Sequence, residues 1–153
     1  MVQFAGLSTA AMEHYQSQID LIYKTGARVP AVIQAEEVLI DSSERYRVTL
    51  KYAERVVSDE SDIGFFDALR KLRLFLEQDE CLPWCFGASE DVYPSPMQES
   101  MGPAILAYRT QLGQQASSED IVNIFDADAS VKPATVEQQR LFHQKWLQSL
   151  RHC

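Results

Sequence analysis

The chain has 153 residues, 46% of them hydrophobic and 24% charged, which is typical of a soluble globular protein folded as one domain over residues 1–153. Its formal net charge of −8 at pH 7 argues against nucleic acids and anionic membranes as partners. The N-terminus lacks the basic and apolar regions of a secretion signal, and no apolar run is long enough to cross a bilayer, so we expect a cytoplasmic protein.

The cysteines do not form a disulfide framework or a metal-binding pattern. Cys81, Cys85 and Cys153 are odd in number, and the first two are separated by three residues rather than by the two of a thioredoxin-type or zinc-knuckle pair. We therefore expect reduced thiols, no metal and no cofactor.

Residues 8–24 carry the pattern of a helix. Ser8 is a suitable N-cap, Tyr15 and Ile19 recur at helical spacing, and Gly26 follows as a stop signal. Residues 30–57 are predicted to form two strands. An apolar run at 38–40 and turn residues at 41–44 precede a segment in which Tyr46, Val48, Leu50 and Tyr52 alternate with polar residues.

The central helix is the clearest element of the sequence. Ser61 is the expected cap, and the apolar stripe that follows indicates a helix packed in the core; it contains Phe65, Leu69, Leu72 and Leu76, widened by Phe66 and Phe75.

The segment after this helix mixes strands with a long loop. Residues 81–86 and 104–113 are predicted strands, and Pro83 places the first of them at a sheet edge or a bulge. Residues 87–102 are a predicted loop, in which Met97 and Met101 lie on a short helical turn. Residues 117–125 fit a helix or a strand equally well.

A capping box of Thr135 and Gln138 begins a last helix that is expected to reach about residue 151. His143 falls in this helix, where an exposed polar position is its expected role. These elements predict an α+β fold: a small, mainly antiparallel sheet packed by the central helix, with N- and C-terminal helices completing the core.

Charge is unevenly distributed along the chain. Residues 74–131 contain one basic residue, Arg109, and ten acidic residues, whereas residues 1–73 contain nine basic and eleven acidic ones. If the carboxylates converge on one side, they form a field that steers a basic protein partner; a surface that only aids solubility is the alternative. The candidate partner-binding residues are eight of these ten acids and three residues of the loop, namely Glu80, Glu90, Asp91, Tyr93, Met97, Glu99, Met101, Glu119, Asp120, Asp126 and Asp128.

Patterns that carry catalysis are missing from the sequence. It contains no phosphate-binding glycine loop, no nucleophile elbow and no spaced histidine pair, and adjacent acids such as Glu90 and Asp91 do not by themselves make an acid–base site. A binding protein is therefore favoured over an enzyme.

Several segments resemble a family of small bacterial cytoplasmic proteins. They are ALRKLRLFLE at 68–77, CFGASEDVYPS at 85–95, SMG at 100–102, AY at 107–108 and VNIFD at 122–126, within residues 45–126. Pro96 and Pro103 stand where the family is expected to have glycine. The family is associated with genes beside Rhs-type and other polymorphic toxins, where its members act as immunity proteins.

The resemblance implies an immunity protein, a monomer or homodimer, that neutralises a cognate toxin by occlusion. Two alternatives remain. One is a small-molecule or enzymatic site between the 86–102 loop and the central helix, with Asp91, Tyr93 and Ser95 as polar groups. The other is a self-associating structural subunit.

Overall fold

A curled antiparallel sheet dominates the computed structural model, which describes residues 14–100 and 103–151. Its strand order is β4-β3-β2-β1-β5, and each neighbouring pair is antiparallel. The strands are β1 (His14–Tyr23), β2 (Arg28–Ile40), β3 (Ser43–Tyr52), β4 (Arg55–Ser61) and β5 (Cys81–Trp84).

A smaller sheet and the helices complete the described residues. The second sheet has the order β6-β7-β8, with β6 (Val92–Tyr93), β7 (Leu106–Arg109) and β8 (Ile121–Asn123). The helices are α1 (Phe65–Glu77), α2 (Pro96–Ser100) and α3 (Val136–Leu150), and single 3-10 turns lie at Phe86–Ala88 and Ser118–Asp120. The predicted α+β class is confirmed. None of these helices is both long and apolar enough to cross a membrane.

The predicted N-terminal helix is wrong over the part that the structure describes, because residues 14–23 form β1. Residues 8–13 lie outside the described part. Ile19 and Leu21 are buried, whereas Gln18 is exposed, so the true period is two. The spacing of Tyr15 and Ile19 fits both a helix and a strand, and the nine-residue pairing of β1 with β2 shows that the segment is a strand.

The prediction of two strands over residues 30–57 was right in kind but incomplete. The hairpin of β2 and β3 and the inward alternation of Val48, Leu50 and Tyr52 are confirmed. The structure adds a third strand, β4, whose polar sequence gave no apolar alternation.

Helix α1 begins later than predicted. Ser61 ends β4 instead of capping the helix directly, and its hydroxyl accepts a hydrogen bond from the Ile63 amide at 2.9 Å and donates one to Asp67 at 2.7 Å. Gly64 precedes the first turn because the chain passes closely there: a Cβ at this position would lie 2.8 Å from Cβ of Ala104. Phe75, predicted to face the core, is 41% exposed.

The two strands predicted after α1 are present, but each is shorter than predicted. Strand β5 lies at a sheet edge, as Pro83 indicated, and β7 occupies only the middle of the strand predicted at 104–113. The 87–102 loop contains β6 and α2, with Met97 in α2, and Met101 lies outside the described residues. Residues 118–123 form a 3-10 turn and then β8. The capping box of Thr135 and Gln138 begins α3 as predicted.

The main core lies between the inner face of the large sheet and α1. Leu21, Ile33 and Leu50 of the sheet and Phe65 and Leu69 of the helix are almost fully buried there. Packing on this side leaves the outer face of the large sheet without a covering layer among the described residues, and that face positions the candidate site.

Candidate partner-binding groove

An open groove of about 1120 Å³ lies on the outer face of the large sheet. Cross-strand pairing builds its floor, since Gln18 is opposite Val32, Val32 opposite Lys51, and Lys51 opposite Val56. This row crosses four strands, and Val56 at its end is 64% exposed. We call this concavity the outer groove.

Trp84 lies at the β5 end of the outer groove. It is held by its indole N–H, which donates to the carbonyl oxygen of Asp128 at 2.8 Å, and by the guanidinium of Arg28, 4.4 Å from the ring centroid. Arg28 also donates to Asp20 at 3.0 Å, and Asp20 is the cross-strand neighbour of Trp84. The three side chains form one unit, which we call the Trp84 cluster.

The opposite end of the outer groove is a tight turn. Ala53 and Glu54 connect β3 and β4 with φ values of 46° and 63°, the left-handed region that favours glycine. Next to the turn, Arg55 lies 5.5 Å from the Tyr52 ring and forms an ion pair with Asp79 at 3.5 Å. The groove therefore combines a floor of apolar and polar side chains with charges of both signs at its ends.

Part of the predicted acidic segment borders the outer groove. Residues 127–129 line it, and Asp126 lies just before them, with its carbonyl oxygen accepting from the Phe86 amide at 2.8 Å. The Ser130 hydroxyl and amide donate to the Asp128 carboxylate and lower the pKa of Asp128, which keeps this exposed group ionised.

Other predicted acids lie in different concavities, each with a basic neighbour. Glu80 forms an ion pair with Lys24 at 3.2 Å, and both line a cavity of about 650 Å³ between β1, β5 and the start of α3. Asp91 is buried, accepts from Ser89 at 2.7 Å and forms an ion pair with Arg109 at 3.1 Å. Asp91 is therefore a structural residue and does not belong to an exposed patch.

None of the remaining predicted acids lines the outer groove, and Asp120 shares one cavity with Asp91. Asp120 lines a polar cavity of about 390 Å³ that Arg109 and Lys132 also line, and its carboxylate completes a capping box with Ser117. Glu119 is exposed in the same 3-10 turn, and Glu90 is partly exposed. Glu99 lies in α2, where burial raises its pKa. The structure thus distributes the predicted carboxylates over several concavities, and only Asp126 and Asp128 adjoin the outer groove.

The apolar residues predicted in the loop are also separated. Tyr93 packs edge-on against Phe66 at 5.4 Å between ring centroids and stacks on His143 at 4.1 Å. Met97 is 68% exposed and lines an apolar cavity of about 450 Å³ with Tyr15 and Leu106. His143, expected to be exposed, is half-buried between Tyr93 and Trp146.

The polar groups suggested for a small-molecule site do not converge. Asp91 bonds to Ser89 and Arg109, Tyr93 lies in an aromatic stack, and Ser95 exchanges hydrogen bonds with Gln98 at the start of α2. The two cavities that loop residues line have their other walls in the second sheet and the strands beside it, not in α1. The thiols of Cys81 and Cys85 are free and buried, and burial raises their pKa values, that of Cys85 to about 11. Among the described residues no group of acidic, histidine or cysteine side chains has the arrangement of a metal site.

Sequence reasoning missed a buried polar hub that connects α1 with α3. Arg73 is 1% exposed and donates to the carbonyl oxygens of Gly87 and Ala134, both at 3.1 Å, and to the Gln139 amide oxygen at 2.6 Å. The Gln139 amide nitrogen in turn lies 2.9–3.0 Å from the carbonyl oxygens of Gly87, Ser89 and Val92. Burial lowers the pKa of Arg73 to about 10, so the guanidinium stays charged at pH 7. The available signal was Arg73 itself, four residues after Leu69 and thus on the buried face of α1.

Comparison with known proteins does not assign the chain to a family, because no protein-family model and no curated protein matches it.

Proposed function

We propose that this chain is a cytoplasmic immunity protein that neutralises a cognate bacterial toxin domain by stoichiometric binding, and that it binds the toxin through the outer groove. It carries out no chemistry of its own in this role. Two lines of support combine: the resemblance of residues 45–126 to immunity proteins, and an open, uncovered sheet face with Trp84 at one end.

The composition of the outer groove carries the proposal. Tryptophan, tyrosine and arginine are the residues that most often dominate binding energy at protein interfaces, and Trp84, Tyr52, Arg28 and Arg55 line this groove. Its open shape suits a protein surface, since small-molecule sites enclose most of their ligand. The mixed charges along its rim fit a partner that presents both signs, which gives orientation more than affinity.

The structure changes the expected role of the acidic residues. Asp79, Glu80 and Asp91 are paired with cations, so they do not contribute to a single docking patch. The net charge of −8 still attracts a basic toxin at long range, and Asp126 and Asp128 add to this attraction at the edge of the groove.

The test begins with the gene next to the one that encodes this chain. Co-expression of the adjacent toxin domain should be tolerated by a host cell only when this chain is present, and the two proteins should co-purify at a 1:1 ratio. Trp84→Ala should weaken binding by about 2 kcal/mol or more, as expected when a tryptophan anchors an interface.

Charge reversals give matched controls for the position of the interface. Asp128→Lys should slow association at low salt, whereas Glu119→Lys, which makes the same change in net charge away from the groove, should have a smaller effect. Failure to protect the host, or unchanged affinity of the Trp84→Ala protein, would overturn the proposal.

One observation favours self-association as a second candidate. Leu74 and Phe75, adjacent on α1, are 44% and 41% exposed. Two large apolar side chains together on one helix are suited to a contact with another copy of the chain. A dimeric mass in solution that becomes monomeric in a Leu74→Glu, Phe75→Glu variant would support this role, and a monomeric wild type would remove it.

A further inference from the structure

The Trp84 cluster holds one of the chain's own guanidinium groups against an indole and a carboxylate. Arg28 lies 4.4 Å from the Trp84 ring centroid and 3.0 Å from Asp20, so the planar cation faces an aromatic ring and bonds a carboxylate at the same time. A binding site for an arginine side chain offers the same two contacts.

The contact between Arg28 and Asp20 is open to water. Their side chains are 49% and 41% exposed, and ion pairs with this exposure are weak because solvent and salt screen them. Arg28 is the first residue of β2, directly after the turn at residues 24–27, and its long side chain reaches the cluster from that end. Breaking the contact between Arg28 and Asp20 therefore costs little free energy when a competing cation displaces the Arg28 guanidinium.

The geometry points to an arginine-binding subsite in the outer groove, formed by Trp84, Asp20 and Asp128, which Arg28 occupies until an arginine of the partner protein replaces it. This inference rests on the proposed function for the identity of the partner. The incoming guanidinium stacks on Trp84 and bonds to Asp20, while the backbone carbonyl oxygen of Asp128 accepts from the indole N–H at 2.8 Å and fixes the ring.

Arginine fits this subsite better than lysine. A guanidinium is planar and less strongly hydrated than an ammonium group, so it can stack on the indole and donate to a carboxylate together. A basic toxin domain offers such side chains, and a loop with one projecting arginine is enough to enter an open groove.

The subsite can be tested without the toxin, using N-acetyl-arginine amide as the probe and the indole N–H resonance of Trp84 as the readout. Arg28→Ala should bind the probe about threefold to fivefold more tightly than the wild type, the gain expected when an exposed cation–π contact becomes available. Asp20→Asn added to Arg28→Ala should abolish this gain, and N-acetyl-lysine amide should bind more weakly than the arginine probe. Arg28→Gln keeps most of the side chain and replaces Arg28→Ala if the shorter residue reduces the folded fraction.

The outcomes separate this inference from the proposed function. Equal binding of the probe by wild type and Arg28→Ala, or a gain that survives Asp20→Asn, overturns the subsite even if the toxin still binds the groove. Probe binding with the expected pattern, together with a toxin that does not bind, preserves the subsite and removes the immunity role.

Discussion

The hub between Arg73 and Gln139 should behave as one unit, and a double-mutant cycle can measure this. Arg73→Met and Gln139→Met each remove one side of the hub and keep similar apolar volume. In Arg73→Met, the Ala134 carbonyl and the Gln139 amide oxygen lose the hydrogen bonds at 3.1 and 2.6 Å. Each buried acceptor left without a donor costs about 1–3 kcal/mol.

Removal of the buried charge offsets part of this loss of stability, because the desolvation penalty of the guanidinium is absent from the variant. We therefore expect Arg73→Met to lower the free energy of unfolding by about 2–4 kcal/mol. Gln139→Met should cost about the same, because it leaves a buried cation with one acceptor fewer. A small domain with about 5–15 kcal/mol of stability remains folded after either change.

The double variant is the decisive measurement. Both single variants break the same charged hydrogen bond, so the double should be about 1.5–3 kcal/mol more stable than the sum of the single effects predicts. Urea unfolding followed by circular dichroism gives the four free energies. Arg70→Met on the same helix is the matched control, since its ion pair with Asp67 is partly exposed and should contribute about 0–1 kcal/mol. Additive single effects, or a loss below about 0.5 kcal/mol for Arg73→Met, would show that the hub is not a coupled unit.

Three further changes test local features by the same unfolding assay. Burial lowers the pKa of His143, so the stability that its neutral form contributes is complete above about pH 6.5 and is lost as pH falls toward the lower native pKa. His143→Phe should reduce this pH dependence, and an unchanged profile would refute the assignment to His143. Gly64→Ala should cost about 1–3 kcal/mol, because the added Cβ would lie 2.8 Å from Ala104 Cβ and 3.0 Å from the Pro103 carbonyl oxygen; a neutral effect would mean that this approach relaxes freely. Glu54→Gly should raise stability by about 1 kcal/mol because Glu54 has a φ of 63°, whereas Glu44→Gly in β3 should lower it; a loss in both would remove the argument from turn strain.

The sequence was most informative where one element has one strong period. Val48, Leu50 and Tyr52 alternate without exception, and Leu69, Leu72 and Leu76 repeat at helical spacing, so β3 and α1 could be predicted. In β1, Tyr15 and Ile19 satisfy both periods, and only pairing with β2 reveals the strand. Strand β4 is mostly polar and forms because β3 offers it a free edge, which local sequence does not show.

The candidate site was harder to predict because it depends on residues far apart in sequence. Trp84, Arg28 and Asp20 come together through the pairing of β1 with β5 and the turn before β2, and no motif connects them. Charge counting selected Asp126 and Asp128, which adjoin the outer groove, but it also selected Asp91, which is buried and paired with Arg109. A count of carboxylates along the chain contains no information about which of them meet a cation in the fold.

The buried hub and the outer groove lie on opposite sides of the large sheet. The loop from 85 to 100, the second sheet and α3 are fixed to α1 on the inner side, where Arg73 and Gln139 bond to each other and to four different backbone carbonyl groups. The outer side has exposed residues such as Val56, which is 64% exposed, so substitutions there change few buried contacts. Under the proposed function, variation in the outer groove can therefore alter partner choice at little cost in folding stability, whereas variation in the hub cannot. A protein that must match a changing toxin would benefit from this separation, and groove variants that lose binding while they keep the wild-type free energy of unfolding would demonstrate it.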